Sequence, residues 1–136
     1  MLRTFAVLAA AASLLGTTAV AAGAEPEPTQ PASAGCTYNL SAPSVVNVSG
    51  TDMVTAILNI GACNGATTFE TAACIQMQGA EGPGQCIQGR GIRPAQVFFQ
   101  PYRPGATYTA TGRGCASTGN PPQTVCNENG PLTATL

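Results

Sequence analysis

The sequence predicts an all-β domain, a disulfide-stapled sandwich of about seven antiparallel strands. Three observations carry that reading. Beyond residue 36 the chain breaks into short runs of alternating apolar and polar residues, separated by Gly, Pro, Asn and Ser. No stretch of that region repeats apolar residues at helical spacing. The six cysteines form an even set behind a segment with the features of a secretory leader, so disulfides are expected.

The 136 residues leave room for one domain. A short positive start containing Arg3 leads into an apolar run over residues 5–15, and small residues follow. Ala22-Gly23-Ala24 satisfies the small-x-small rule, which places a cleaved signal over residues 1–24; Ala19-Val20-Ala21 is a second cleavage option. The apolar stretch is Ala-rich and ends in cleavable residues, so no membrane span is expected in the mature form. Cys36 is separated from the apolar region by a Pro-rich acidic stretch, which argues against a lipid anchor there. Residues 25–35 carry Pro26, Pro28 and Pro31 and no large apolar side chain, so they read as a flexible linker. The domain proper is then 36–136, secreted or associated with the cell envelope. Absence of Lys with heavy use of Ala, Gly, Pro and Arg fits a GC-rich, actinobacterial source.

Within the domain, residues 38–40 and 45–48 are apolar-rich runs split by Pro43, which implies one bulged strand or two short edge pieces. Residues 49–52 form a turn. Residues 53–60 alternate cleanly, with Val54, Ala56, Leu58 and Ile60 on one face and Thr55 and Asn59 on the other. Residues 63–66 read as a turn. In 69–77, Phe69, Ala73, Ile75 and Met77 oppose Glu70 and Gln76. A Gly-rich turn over 79–84 precedes short strands at 86–91 and 95–100, the second with Val97 and Phe99 on one face. A Pro-Gly corner at Pro104-Gly105 opens the alternating run through Tyr108 to Cys115. Residues 117–122 are a turn, and 132–136 a terminal strand with Leu132, Ala134 and Leu136 in phase.

Two cysteines facing each other across a hairpin are equidistant from its turn. The midpoints of Cys36/Cys63, Cys74/Cys86 and Cys115/Cys126 all fall in expected turns, so these are the preferred pairs. Continuing two of those ladders outward sets Glu70 opposite Arg90 and Arg113 opposite Glu128, favourable placements for opposite charges. The first hairpin fits less well, since its simple register mixes core and surface faces and needs a bulge near Pro43. A rival scheme rests on spacing: Cys63 to Cys74 repeats as Cys115 to Cys126, which could join Cys63 to Cys74 and leave Cys36 for Cys86.

Composition excludes much chemistry. The chain has no His and no Lys, which removes His-dependent triads, Lys nucleophiles and Schiff-base catalysis. No CxxC pair occurs, so no zinc knuckle is expected, nor any cofactor. Asp52 and Glu81 lie in turns, and Glu70 and Glu128 have Arg partners, so no carboxylate pair is placed for hydrolysis. The protein therefore reads as a non-enzyme. A net charge of −1 gives no general attraction to nucleic acid.

Two features remain as candidates for binding. Between Cys86 and Cys115 stand Arg90, Arg93, Arg103 and Arg113 with no acid among them, a face suited to an anionic envelope component or an extracellular protein; ordinary solvated surface is the plain alternative. Alternation turns Phe98 outward, where with Tyr102 and Arg103 it has the composition of an interaction hot spot; packing of both Phe98 and Phe99 in the core is the alternative. Asn39 and Asn47 stand in glycosylation sequons, which matter only on a eukaryotic secretory route.

At RPGATYTATGRGC, residues 103–115, the chain resembles fibronectin type III and related immunoglobulin-like sandwiches. The resemblance implies a tyrosine corner at Tyr108, and covers architecture only. The chain is also similar in size, compartment and short-range disulfides to small secreted actinobacterial sandwiches such as the neocarzinostatin apoprotein group, without a motif that carries over their ligand site. Three roles are consistent with these features: a secreted non-enzymatic binding or structural module touching a cell envelope or host surface; an inhibitor of an extracellular hydrolase presenting residues 90–94; and a small-ligand carrier with a cleft between its sheets.

Overall fold

The computed structural model describes residues 33–136. The signal expected at 1–24 and most of the linker expected at 25–35 lie outside the described residues. Eight strands follow: β1 (Gly35–Leu40), β2 (Ser44–Val48), β3 (Thr51–Asn64), β4 (Ala66–Met77), β5 (Gln85–Arg90), β6 (Ala95–Phe99), β7 (Thr107–Thr118) and β8 (Gln123–Thr135). There is no helix among the described residues. All pairings are antiparallel.

The strands form two sheets. In the first, β3 is central, with β1 and β2 paired to it in succession and β6 also paired to it. The second has the order β5-β4-β7-β8. Eight strands appear where about seven were expected because the first strand is broken, as Pro43 requires: it has no N–H for the ladder. Ser41 repairs the gap. Its N–H donates to the Ile57 carbonyl and its Oγ accepts from the Ile57 N–H, both at 2.9 Å, so both backbone groups stay satisfied. The register shifts twice in the first hairpin. Residues 42 and 43 together face Ala56, and this extra residue at Pro43 sets Leu40 against Leu58 and Tyr38 against Ile60; a second shift between Cys36 and Tyr38 brings Cys36 level with Cys63.

The inner faces of both sheets share one core. Tyr38, Val54, Ala56, Leu58, Ala95, Val97 and Phe99 come from the first sheet, and Ala73, Ile75, Tyr108, Ala110 and Ala116 from the second. Full burial of Val54, Leu58 and Ile75 stabilises by about 1.5–3 kcal/mol each. Small residues in β7 let the sheets close. A Cβ on Gly114 would stand 2.2 Å from the Tyr38 ring, so that ring occupies the space of a missing side chain.

Several expectations need correction. Alternation places Phe69 inward with Ala73 and Ile75, yet it is exposed. A bulge between Thr68 and Glu70 breaks the phase there, and Thr68 takes the inward position, where its hydroxyl bonds the Tyr38 hydroxyl at 3.1 Å. The turn at 63–66 shrinks to Gly65 alone, between the end of β3 and the start of β4. The terminal strand begins at Gln123, well before residue 132, and Leu132 is exposed.

Cys36–Cys63, Cys74–Cys86 and Cys115–Cys126 are the three disulfides, and each joins directly facing ladder positions. Three bridges in a small domain are typical of extracellular proteins. Arg113 and Glu128 face each other with Nε to Oε1 at 3.4 Å, a solvent-exposed pair worth little. Glu70 and Arg90 also face each other, but no ion pair joins them.

Candidate functional site

The five residues singled out for binding fall into separate places. Arg90 ends β5, and the turn that follows carries Gly91, Ile92, Arg93 and Pro94 into β6. Two hydrogen bonds to β4 hold this turn: Gly91 N–H donates to the Phe69 carbonyl, and the Thr71 side-chain Oγ1 donates to the Arg93 carbonyl, both at 2.8 Å. Gly91 has φ of 68°, a left-handed value suited to glycine. Arg90, Ile92 and Arg93 project from this fixed frame, all exposed, with Ile92 74% exposed. The segment is a tight turn and not an extended strand, so it lacks the shape by which an extended peptide adds to a partner's sheet.

Phe98 lies on β6, opposite Thr55, on the outward face of the first sheet, and is 40% exposed; Phe99 is buried. Gln96 and Gln100 flank it. Gln96 Nε2 donates to Thr55 Oγ1 at 3.1 Å, and Thr55 Oγ1 donates to the Val97 carbonyl at 2.9 Å. Gln100 Nε2 reaches Met53 Sδ at 3.2 Å. Phe98 therefore stands in an ordered polar setting.

Tyr102 and Arg103 belong to the entrance of β7. Tyr102 is half-buried, its ring centroid 6.5 Å from that of Tyr108. Arg103 N–H donates to the Tyr108 hydroxyl at 2.8 Å, and its side chain is exposed. Arg90 is level with Glu70 on β4, and Tyr108 with Met77. At about 3.3 Å per residue these levels are about 23 Å apart. The structure thus sets the Arg90/Arg93 turn at one end and Tyr102/Arg103 at the other, with Phe98 on a sheet face.

Among the described residues no group of three His, Cys, Asp or Glu is gathered to hold a metal ion. All six cysteines are bridged. Between the sheets, the space is taken by Tyr108, Leu58, Ile75 and Val54. Depressions do occur on the outside, and one of them gathers threonines that lie outside the five candidate positions. Thr107, Thr109 and Thr111 recur every second residue in β7, as do Thr133 and Thr135 in β8. Period-two threonines on neighbouring strands were the signal for them.

No family model matches the chain, and neither a curated protein nor a solved structure matches it significantly. The functional reading therefore rests on the residues themselves.

Proposed function

We propose that this protein is a secreted, non-enzymatic binding or structural module with an immunoglobulin-like framework, which contacts a cell envelope or a host surface. Support for the framework comes from the strand order. With β1 and β2 counted as one strand, the first sheet joins the first, second and fifth strands, and the other carries β5-β4-β7-β8. The Tyr108 hydroxyl, accepting from backbone five residues upstream at the entrance to β7, has the geometry of a tyrosine corner. Three disulfides in a domain of this size suit an extracellular role.

The observation that carries the binding reading is the β5–β6 turn. Its backbone is fixed by Phe69 and Thr71, while Arg90, Ile92 and Arg93 are presented to solvent. Fixing the backbone beforehand lowers the ordering cost of docking, and two arginines beside an exposed isoleucine suit an acidic surface. Binding of the labelled mature protein to envelope preparations of the producing cell, and to acidic extracellular proteins, tests this. Arg90→Ala combined with Arg93→Ala should weaken binding, and binding should fall steadily as salt rises. Undiminished binding by the double variant contradicts the assignment to this turn.

A further inference from the structure

The outward face of the second sheet ends, at the Tyr108 level, in a regular patch of neutral hydrogen-bonding groups. Gln76, Thr109 and Thr133 stand side by side across β4, β7 and β8. Thr107 and Thr135 form the next row. The hydroxyls are tied sideways: Thr107 Oγ1 to Thr135 Oγ1 at 2.8 Å, and Thr109 Oγ1 to Thr133 Oγ1 at 3.3 Å. Gln76 is fixed as well, since its Nε2 donates to the Gly82 carbonyl at 2.9 Å. A shallow depression of about 380 Å³ lies over this patch, lined by Gln76, Gln78, Thr107, Thr109 and Thr133 with Met77 and Gly79. None of these residues is charged.

Strand propensity accounts for threonines in strands. It does not account for their gathering in two adjacent rows over a depression, while farther along β7 and β8 the same face carries Arg113 and Glu128. Each hydroxyl both donates and accepts. Threonine is stiff at its first side-chain torsion, and the lateral bonds stiffen these four further, so little freedom remains to be lost on binding. A charged ligand finds no counter-charge among the lining groups, and an apolar one would cover the donor and acceptor capacity that the hydroxyl pairs and Gln76 keep beyond their mutual and backbone bonds. A neutral ligand that is itself rich in hydroxyls matches both properties.

We propose that this face is a binding site for the sugar units of an uncharged polysaccharide. The proposal rests on the reading of the protein as a surface-binding module and names the chemistry of a second contact, distinct from the arginine turn. Titration of the full mature protein against soluble dextran, β-glucan and mannan, with anionic alginate as comparison, tests it. At least one neutral polymer should bind, with affinity nearly unchanged by salt. Thr109→Val with Thr133→Val keeps shape and branching but removes two hydroxyls, and should lower that affinity about ten-fold. Gln76→Leu, on a different strand, should weaken binding in the same direction, whereas Thr124→Val, at the far end of β8, should not. Failure of every neutral polymer to bind, equal binding to alginate, or undiminished binding by both altered-face variants overturns the proposal. If those results come from a protein that still binds envelope preparations in a salt-dependent way, the binding-module reading stands and only the sugar site falls.

Discussion

At one end of the sandwich, Cys36–Cys63 and Cys115–Cys126 bind strand pairs covalently, one in each sheet, and Asn127 Nδ2 ties the sheets by donating to the Cys36 carbonyl at 2.9 Å. Tyr38 lies beside them, its ring over Gly114 and its hydroxyl on Thr68. At the other end no bridge joins the strands. There Tyr108, fully buried, meets Phe99 edge-on with centroids 5.5 Å apart, lies tilted against Tyr102 with centroids 6.5 Å apart, and accepts the Arg103 N–H. Cys74–Cys86 sits between, at the edge of the second sheet. The difference shows two solutions to one problem. A small domain with few aromatic residues has limited apolar surface to bury. One end compensates by constraining the unfolded chain, the other by concentrating its large rings around a single tyrosine.

The largest way to break this arrangement is at the aromatic end. Tyr108→Ala removes the ring on which Phe99 and Tyr102 pack, and should cost about 3–5 kcal/mol in urea unfolding. At the stapled end, replacing Cys36 and Cys63 together by Ala removes the bridge and, at Cys36, one buried sulfur of the core. Its expected cost is about 3.5 kcal/mol in the chain-entropy model. Because the two sites share no partner, their losses should add to within about 0.5 kcal/mol when combined. A large departure from additivity would mean the ends are not independently held.

Much of this scaffold was legible from residue order. Hairpin midpoints indicated the cysteine pairs because a facing pair must be equidistant from its turn. The period-two pattern placed Val54, Ala56 and Leu58 in the core, since a strand in a two-sheet domain buries only one of its faces. What escaped is what bulges and edges control. The bulge at Thr68/Glu70 turned Phe69 outward, and no composition signal marks a bulge that lacks Gly or Pro. The ladder through Cys126 and Glu128 is legible from the hairpin midpoint, but its continuity with 132–136 as one strand is not, because Asn127, Glu128 and Asn129 lie on an edge strand, where polarity is tolerated on both faces. The candidate site was less legible. Sequence proximity grouped Arg90, Arg93, Phe98, Tyr102 and Arg103, but β6 runs from one end of the sandwich toward the other and separates them. Conversely, Thr109 and Thr133 are distant in sequence and meet only through the β7–β8 register.

Peptide mapping of the folded protein without reduction tests the scaffold most directly, because both ends of the comparison and the placement of both proposed binding faces depend on strand register. Linked peptides containing Cys36 with Cys63, Cys74 with Cys86, and Cys115 with Cys126 are the predicted result. A peptide joining Cys36 to Cys86, or Cys63 to Cys74, would contradict it.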